Sequence, residues 1–198
     1  MPASRFLAAL LIASAAMPAA AQFQSEGYKF LQAVRDSKND DVINTLNKPG
    51  VTVVNTRDVS TGEGALHIVA KRGDAPYLTF LLQKGADPNL RDGKGNTPMV
   101  IAATVGQTDL IHILSLAKAN PNLGNSSGET PLILAVHRRD IGMVRELLAD
   151  GADPDQADII AGKSARDYAS QDSRNPAIAK LIAATPKKER RAVSGPKF

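Results

Sequence analysis

Residues 97–124 read TPMVIAATVGQTDLIHILSLAKANPNLG, and residues 130–158 repeat the pattern as TPLILAVHRRDIGMVRELLADGADPDQAD. Thr97-Pro98 and Thr130-Pro131 lie 33 residues apart, with Gly64-Ala65 standing 33 before and Ser164-Ala165 34 after. Gly85-Ala86, Lys118-Ala119 and Gly151-Ala152 keep the 33-residue interval, each leading into Asp-Pro-Asn, Asn-Pro-Asn or Asp-Pro-Asp. A Thr before Pro offers a side-chain cap and then a residue with no N–H to satisfy, so each pair predicts a helix start. The short apolar runs that follow, such as Met99 to Ala103 and Leu132 to Val136, predict a first helix, and Gly73 and Gly106 are its left-handed stops. Leu110, Ile111, Ile113 and Leu114, like Met143, Val144, Leu147 and Leu148, recur at helical spacing and predict a second helix. A turn and an extended finger rich in Asp and Gly then lead to the next unit. No unit can bury its apolar face alone, so the units must stack. The expected fold is an all-α repeat solenoid of helix-turn-helix units joined by finger loops of β-hairpin type.

These units resemble ankyrin repeats, which carry Thr-Pro-Leu-His-x-Ala-Ala, then Gly, then Leu-Leu-x-x-Gly-Ala-Asp. Residues 59–91, 92–124 and 125–158 match well, while 28–58 and 159–184 match loosely, as terminal capping repeats would; the domain is expected over 22–184. Arg139 stands at the slot of the helix-stopping Gly, Val100 and Asp167 replace the family His, and one extra residue falls near Asp58 and another near Asp158. The resemblance implies a protein-recognition scaffold whose finger tips and first-helix ends line a concave surface. On this sequence those positions include Ser60, Thr61, Glu63, Lys71, Arg72, Lys94, Asn96, Thr104, Val105, Ser126, Ser127, Glu129, His137, Arg138, Lys163, Gln171 and Asp172. Lys71, Arg72, Lys94, Arg138 and Lys163 outnumber the acids there, so a protein partner with an acidic patch is expected. Neither a cofactor nor nucleic acid is expected, and the chain is read as a monomer.

The ends carry different information. Met1–Ala21 has one positive charge at Arg5, an apolar run from Phe6 to Met17, the helix breaker Pro18 and small residues up to Ala21. These are the parts of a secretory signal peptide, with cleavage expected before Gln22 and a periplasmic or secreted destination. The apolar run is too short to span a bilayer, and no later stretch is long and apolar enough to do so. With no Cys in the chain there is no disulfide framework, thiol nucleophile or Cys-bound metal. The net charge is +4, yet residues 185–198 alone hold Lys187, Lys188, Arg190, Arg191 and Lys197 against Glu189. The folded part is therefore close to neutral. A tail this basic gives the alternative function, attachment to the cell envelope or a polyanion.

Catalytic chemistry finds little footing. The three His, at 67, 112 and 137, form no i, i+4 pair, and no Gly-x-Ser-x-Gly elbow occurs. His67 holds the family's Leu-His slot, where the resemblance implies a structural hydrogen-bonding ring. Gly162-Lys163-Ser164 ends like a phosphate loop, but Ala157 stands where its first Gly belongs, and the repeat register makes Ser164 a helix cap. Arg72-Gly73-Asp74 spells an adhesion tripeptide, although its Gly is a helix stop. The reading is a binding module and not an enzyme.

Overall fold

The structure is a computed structural model, and it describes residues 25–50 and 52–186; residues 1–21 and most of the basic tail lie outside the described residues. Among the described residues ten α-helices form five antiparallel pairs: α1 (Glu26–Arg35) with α2 (Asn39–Leu46), α3 (Ala65–Arg72) with α4 (Ala75–Gln83), α5 (Pro98–Val105) with α6 (Thr108–Leu116), α7 (Pro131–Arg138) with α8 (Ile141–Ala149), and α9 (Ala165–Gln171) with α10 (Pro176–Ala183). First helices pack in sequence from α1 through α9, and second helices from α4 through α10. The stack thus buries one continuous core.

Local chemistry explains most of the helix boundaries. The Thr97 hydroxyl accepts the Val100 N–H at 3.2 Å and Thr130 accepts that of Ile133 at 3.3 Å, each just ahead of a first-position Pro. Ser164 caps α9 by accepting the Asp167 N–H at 3.2 Å, which fixes its role as structural. Asp74 and Asp140 cap the second helices α4 and α8. Gly73 and Gly106 end first helices in the left-handed region, and Arg139 does the same at φ 58°. For a residue with a Cβ that geometry costs on the order of 1 kcal/mol. Lys118, at φ 64°, carries the same strain where the neighbouring units have Gly85 and Gly151. Ala70 and Ala103, both fully buried, are small enough to bring paired helices close.

The fingers are hairpin-like loops without strands. No strand forms among the described residues, and the single bridge there joins Ala157 and Ser164. Each finger is instead a loop wrapped on one side chain: Asp58, Asp92, Asn125 or Asp158. The Oδ1 of Asp92 accepts the N–H groups of Lys94 and Asn96, both at 2.8 Å, and Asn125 does the same for Ser127 and Glu129. A backbone bond closes each loop, Asp92 to Asn96 and Asn125 to Glu129 in the middle, Asp58 to Glu63 and Asp158 to Lys163 at the ends. The end loops are one residue longer, which places both extra residues inside them. Side-chain turns win over strands because so short a loop offers the backbone few cross-strand bonds, while one carboxylate satisfies two or three N–H groups.

Candidate functional site

Consecutive fingers are tied together. Gly93 N–H donates to the Thr61 carbonyl at 2.8 Å, Ser126 N–H to Lys94 at 2.9 Å, and Ile159 N–H to Ser127 at 3.0 Å. A Cβ on Gly93 would stand 2.7 Å from the Thr61 oxygen, so this close approach requires glycine. Asn side chains brace a second line. Asn55 bonds the Gly85 carbonyl and the Asp87 N–H, Asn89 takes the Asn120 N–H, and Asn122 bonds Gly151 and Asp153. Sequence reasoning missed these braces, although their signal was present: Asn89 and Asn122 end the Pro-Asn steps one period apart.

Between the second and third fingers and the ends of α3, α5 and α7 lies a groove of about 720 Å³. It gathers nine of the expected residues: Ser60, Thr61, Glu63, Lys71, Lys94, Asn96, Thr104, Val105 and Glu129. Ile101, Val105 and Leu134 give it an apolar floor, and Val105 is 40% exposed. Most polar groups around it are already engaged. Lys71 pairs with Glu63, Glu129 accepts from the Asn125 amide at 2.9 Å, Asn96 donates to Asp92 at 2.9 Å, and the Thr104 hydroxyl donates to the Val100 carbonyl at 2.8 Å. The Lys94 side chain has no partner among the described residues.

The other expected residues lie elsewhere. Arg72 donates to the Val34 carbonyl at 3.0 Å and sits over the Tyr77 ring, and Arg138 donates to the Thr104 carbonyl at 2.9 Å. Neither lines the groove; each guanidinium is spent bridging to the preceding repeat. His137 stands edge-on to Tyr168 in a separate hollow with Gln171 and Asp172, while Lys163 donates to Gln171 at 2.8 Å. Ser126 and Ser127 serve the fingers through their backbone. The expected concave strip is therefore one groove and one smaller hollow, and of the five expected cations only Lys94 is left without a partner among the described residues.

Beneath the groove the ionisable groups are structural. His67 is fully buried; its Nδ1 accepts the Gly64 N–H at 3.1 Å and its Nε2 donates to the Asn96 carbonyl at 2.9 Å. Burial keeps its pKa below the usual imidazole value, so the ring is neutral. Burial opposes ionisation of Asp92, but donation from the Asn96 side chain and from the Asn96 and Lys94 N–H groups outweighs it and lowers the pKa. No group of three or more potential metal ligands occurs among the described residues, and no described helix is long and apolar enough to cross a membrane.

Comparison with known proteins agrees with this architecture. The family described as Ankyrin repeats (3 copies) matches residues 30–123 and again 101–191. A putative ankyrin repeat protein of Acanthamoeba polyphaga mimivirus is 34% identical over 84 residues, 41% of this chain and 11% of that protein. Neurogenic locus notch homolog protein 1 of Danio rerio is 33% identical over 131 residues, 66% of this chain and 5% of its own length. A putative ankyrin repeat protein of Pyrobaculum aerophilum is 50% identical over 44 residues, 22% of this chain and 16% of that protein. The chain thus spans a small fraction of these relatives, and what is common to them is the repeat. With the repeat period, the capped helix pairs and the stacked fingers in place, the match settles the family: this chain is an ankyrin-repeat protein.

Proposed function

We propose that this chain is a non-enzymatic binding protein that holds a partner protein in the groove between its second and third fingers. The family typically acts as a protein-binding scaffold. The observation that carries the reading here is the open apolar floor of Ile101, Val105 and Leu134 beside the unpaired Lys94. An aliphatic side chain of the partner fills the floor, and an acidic residue next to it meets Lys94. The other rim groups are satisfied internally, so they contribute shape more than charge. The Met1–Ala21 segment supports export, which puts the encounter in the periplasm or outside the cell.

The test is capture of partners from that compartment with the chain from Gln22 onward, followed by affinity measurement on the recovered protein. Val105→Asp and Lys94→Glu should each weaken it about tenfold or more, while Lys84→Glu with Arg145→Glu, at the end of α4 and on α8, should leave it unchanged. Equal affinity for all four proteins rejects the groove.

A further inference from the structure

The smaller hollow is made differently from the groove. Its volume is about 450 Å³, and it is lined by Val136, His137 and Arg139 from the end of α7, by Tyr168 and Asp172 from α9 and its cap, and by Arg174 from the connection to α10. That connection runs from Asp172 to Asn175, four residues where each of the three middle pairs uses two. Asp172 pins the longer turn, since its Oδ1 accepts the Arg174 N–H at 3.1 Å. The same carboxylate holds two guanidinium groups. Arg139 Nε–H donates to Asp172 Oδ2 at 2.5 Å, and Arg174 Nε–H donates to Oδ1 at 3.3 Å. Both guanidinium groups are held by Nε alone, and their Nη groups have no partner among the described residues.

Charge and shape say what fits there. The Asp172 side chain is 20% exposed, that of Arg139 39% and that of Arg174 75%, so the cations form the outer layer. Two cations against one carboxylate leave a surplus of one positive charge. The neighbours do not cancel it: Tyr168 spends its hydroxyl on buried Asp158, and His137 packs edge-on to the Tyr168 ring. Two like charges sharing one carboxylate repel each other, and a second oxyanion between them relieves that repulsion. A guanidinium takes a planar carboxylate through parallel N–H bonds, and one already fixed at Nε has less freedom to lose. The hollow is polar and open on one side, unlike the largely apolar pockets that enclose small molecules, so it suits a side chain presented by a larger body. At the same helix stop the two preceding units have Gly73 and Gly106, which makes this anchor particular to one end of the array.

We propose that this hollow binds an acidic side chain of the partner protein, its carboxylate seated between the Nη groups of Arg139 and Arg174. Resting on the reading of this chain as a protein-binding scaffold, the contact is a second one, apart from the groove, and either can fail without the other.

The test is an NMR titration of the chain from Gln22 to Phe198, which contains every described residue, read at the Nε–H of both arginines and the backbone N–H groups of residues 172–174. The probes are an acetylated, amidated triglutamate peptide, its triglutamine counterpart and inorganic phosphate. Site-resolved signals keep the hollow distinct from the basic tail. Saturable shifts are expected with triglutamate and none with triglutamine. Arg174→Gln, read at Arg139, should weaken triglutamate about tenfold through the loss of a charge-assisted pair. Arg174 is 75% exposed, so this change leaves folding intact. Lys84→Glu with Arg145→Glu removes more positive charge from elsewhere and should leave the affinity unchanged. No saturable shift in the hollow overturns the proposal, as does an equal response to triglutamine. A loss with Lys84→Glu and Arg145→Glu as large as with Arg174→Gln also overturns it, because the attraction would belong to the whole field of the protein. Phosphate bound more tightly than triglutamate overturns it in favour of a phosphate ligand. The N–H signals of Lys94 and Val105 report the groove in the same spectra. Shifts confined to them reject the hollow and spare the groove, whereas shifts confined to the hollow uphold it even where the groove is rejected.

Discussion

The start of α3 and the starts of α5 and α7 solve one problem with different chemistry. In α5 and α7 a Thr ahead of the helix caps the N–H three residues on, a bond inside the unit that uses no titratable group. In α3 the capping position is Gly64, which has no side chain, and His67 reaches back to its N–H. The same ring crosses to the Asn96 carbonyl in the next finger, so one side chain sets a helix start and the register between repeats. The α9 start is a third solution, in which Ser164 and Asp167 cap each other's N–H groups. A helix start that can be built from a Thr cap, a His three residues on or a Ser–Asp pair is constrained by the N–H groups it must satisfy and not by one residue type.

His67→Ala should break the comparison most visibly. It empties a fully buried site and strands both the Gly64 N–H and the Asn96 carbonyl, for a loss of about 3 kcal/mol in denaturant titration. A loss no larger than that of a Thr cap would show that the ring carries no inter-repeat load. Proton sensitivity is the next largest effect. Because burial holds the folded pKa of His67 below 6.5, the unfolded chain binds that proton more readily. The stabilisation is complete above about pH 6.5 and is lost as pH falls below it, by at most about 1.4 kcal/mol per pH unit. Denaturant titrations from pH 7.5 to 5 should show this slope in the parent and not in His67→Gln. Thr130→Ala should cost about 1 kcal/mol, equally at both ends of that range.

The helix stops give smaller effects of opposite sign. Lys118→Gly should raise stability by roughly 0.5–1 kcal/mol, because Gly takes the left-handed turn without a Cβ penalty and the exposed Lys118 side chain has no partner among the described residues to lose. Arg139→Gly should gain less, within about 0.5 kcal/mol of neutral, since it also gives up the 2.5 Å pair between Arg139 and Asp172. Equal gains at both sites would mean that this pair is without weight.

What was legible in the sequence was local or periodic. Thr-Pro, the helix-stopping Gly and apolar residues three and four apart each specify their own few residues, so the helix pairs and the stacking follow from them. The strained Arg139 was readable because the repeat says what should stand there. The groove was legible as a set of slots, since its nine expected members occupy repeat positions in neighbouring units. The destinations of Arg72 and Arg138 were not. Their long side chains choose between solvent and carbonyl groups 38 and 34 residues away, and that choice depends on how adjacent repeats are offset. The side chain on which each finger wraps was not legible, because a short Asp- and Gly-rich hairpin-like loop looks the same in sequence whether strands or one side chain hold it.

The finger bonds and asparagine braces join each repeat only to its immediate neighbours. Such a chain of couplings behaves under load like a stack of clipped plates. Pulled from its two ends, the protein should yield one plate at a time, because breaking one set of clips shifts no load onto the others. Each event would free one period of 33 residues, lengthening the chain by about 110 Å. A force trace should show a short series of evenly spaced drops in place of a single collapse.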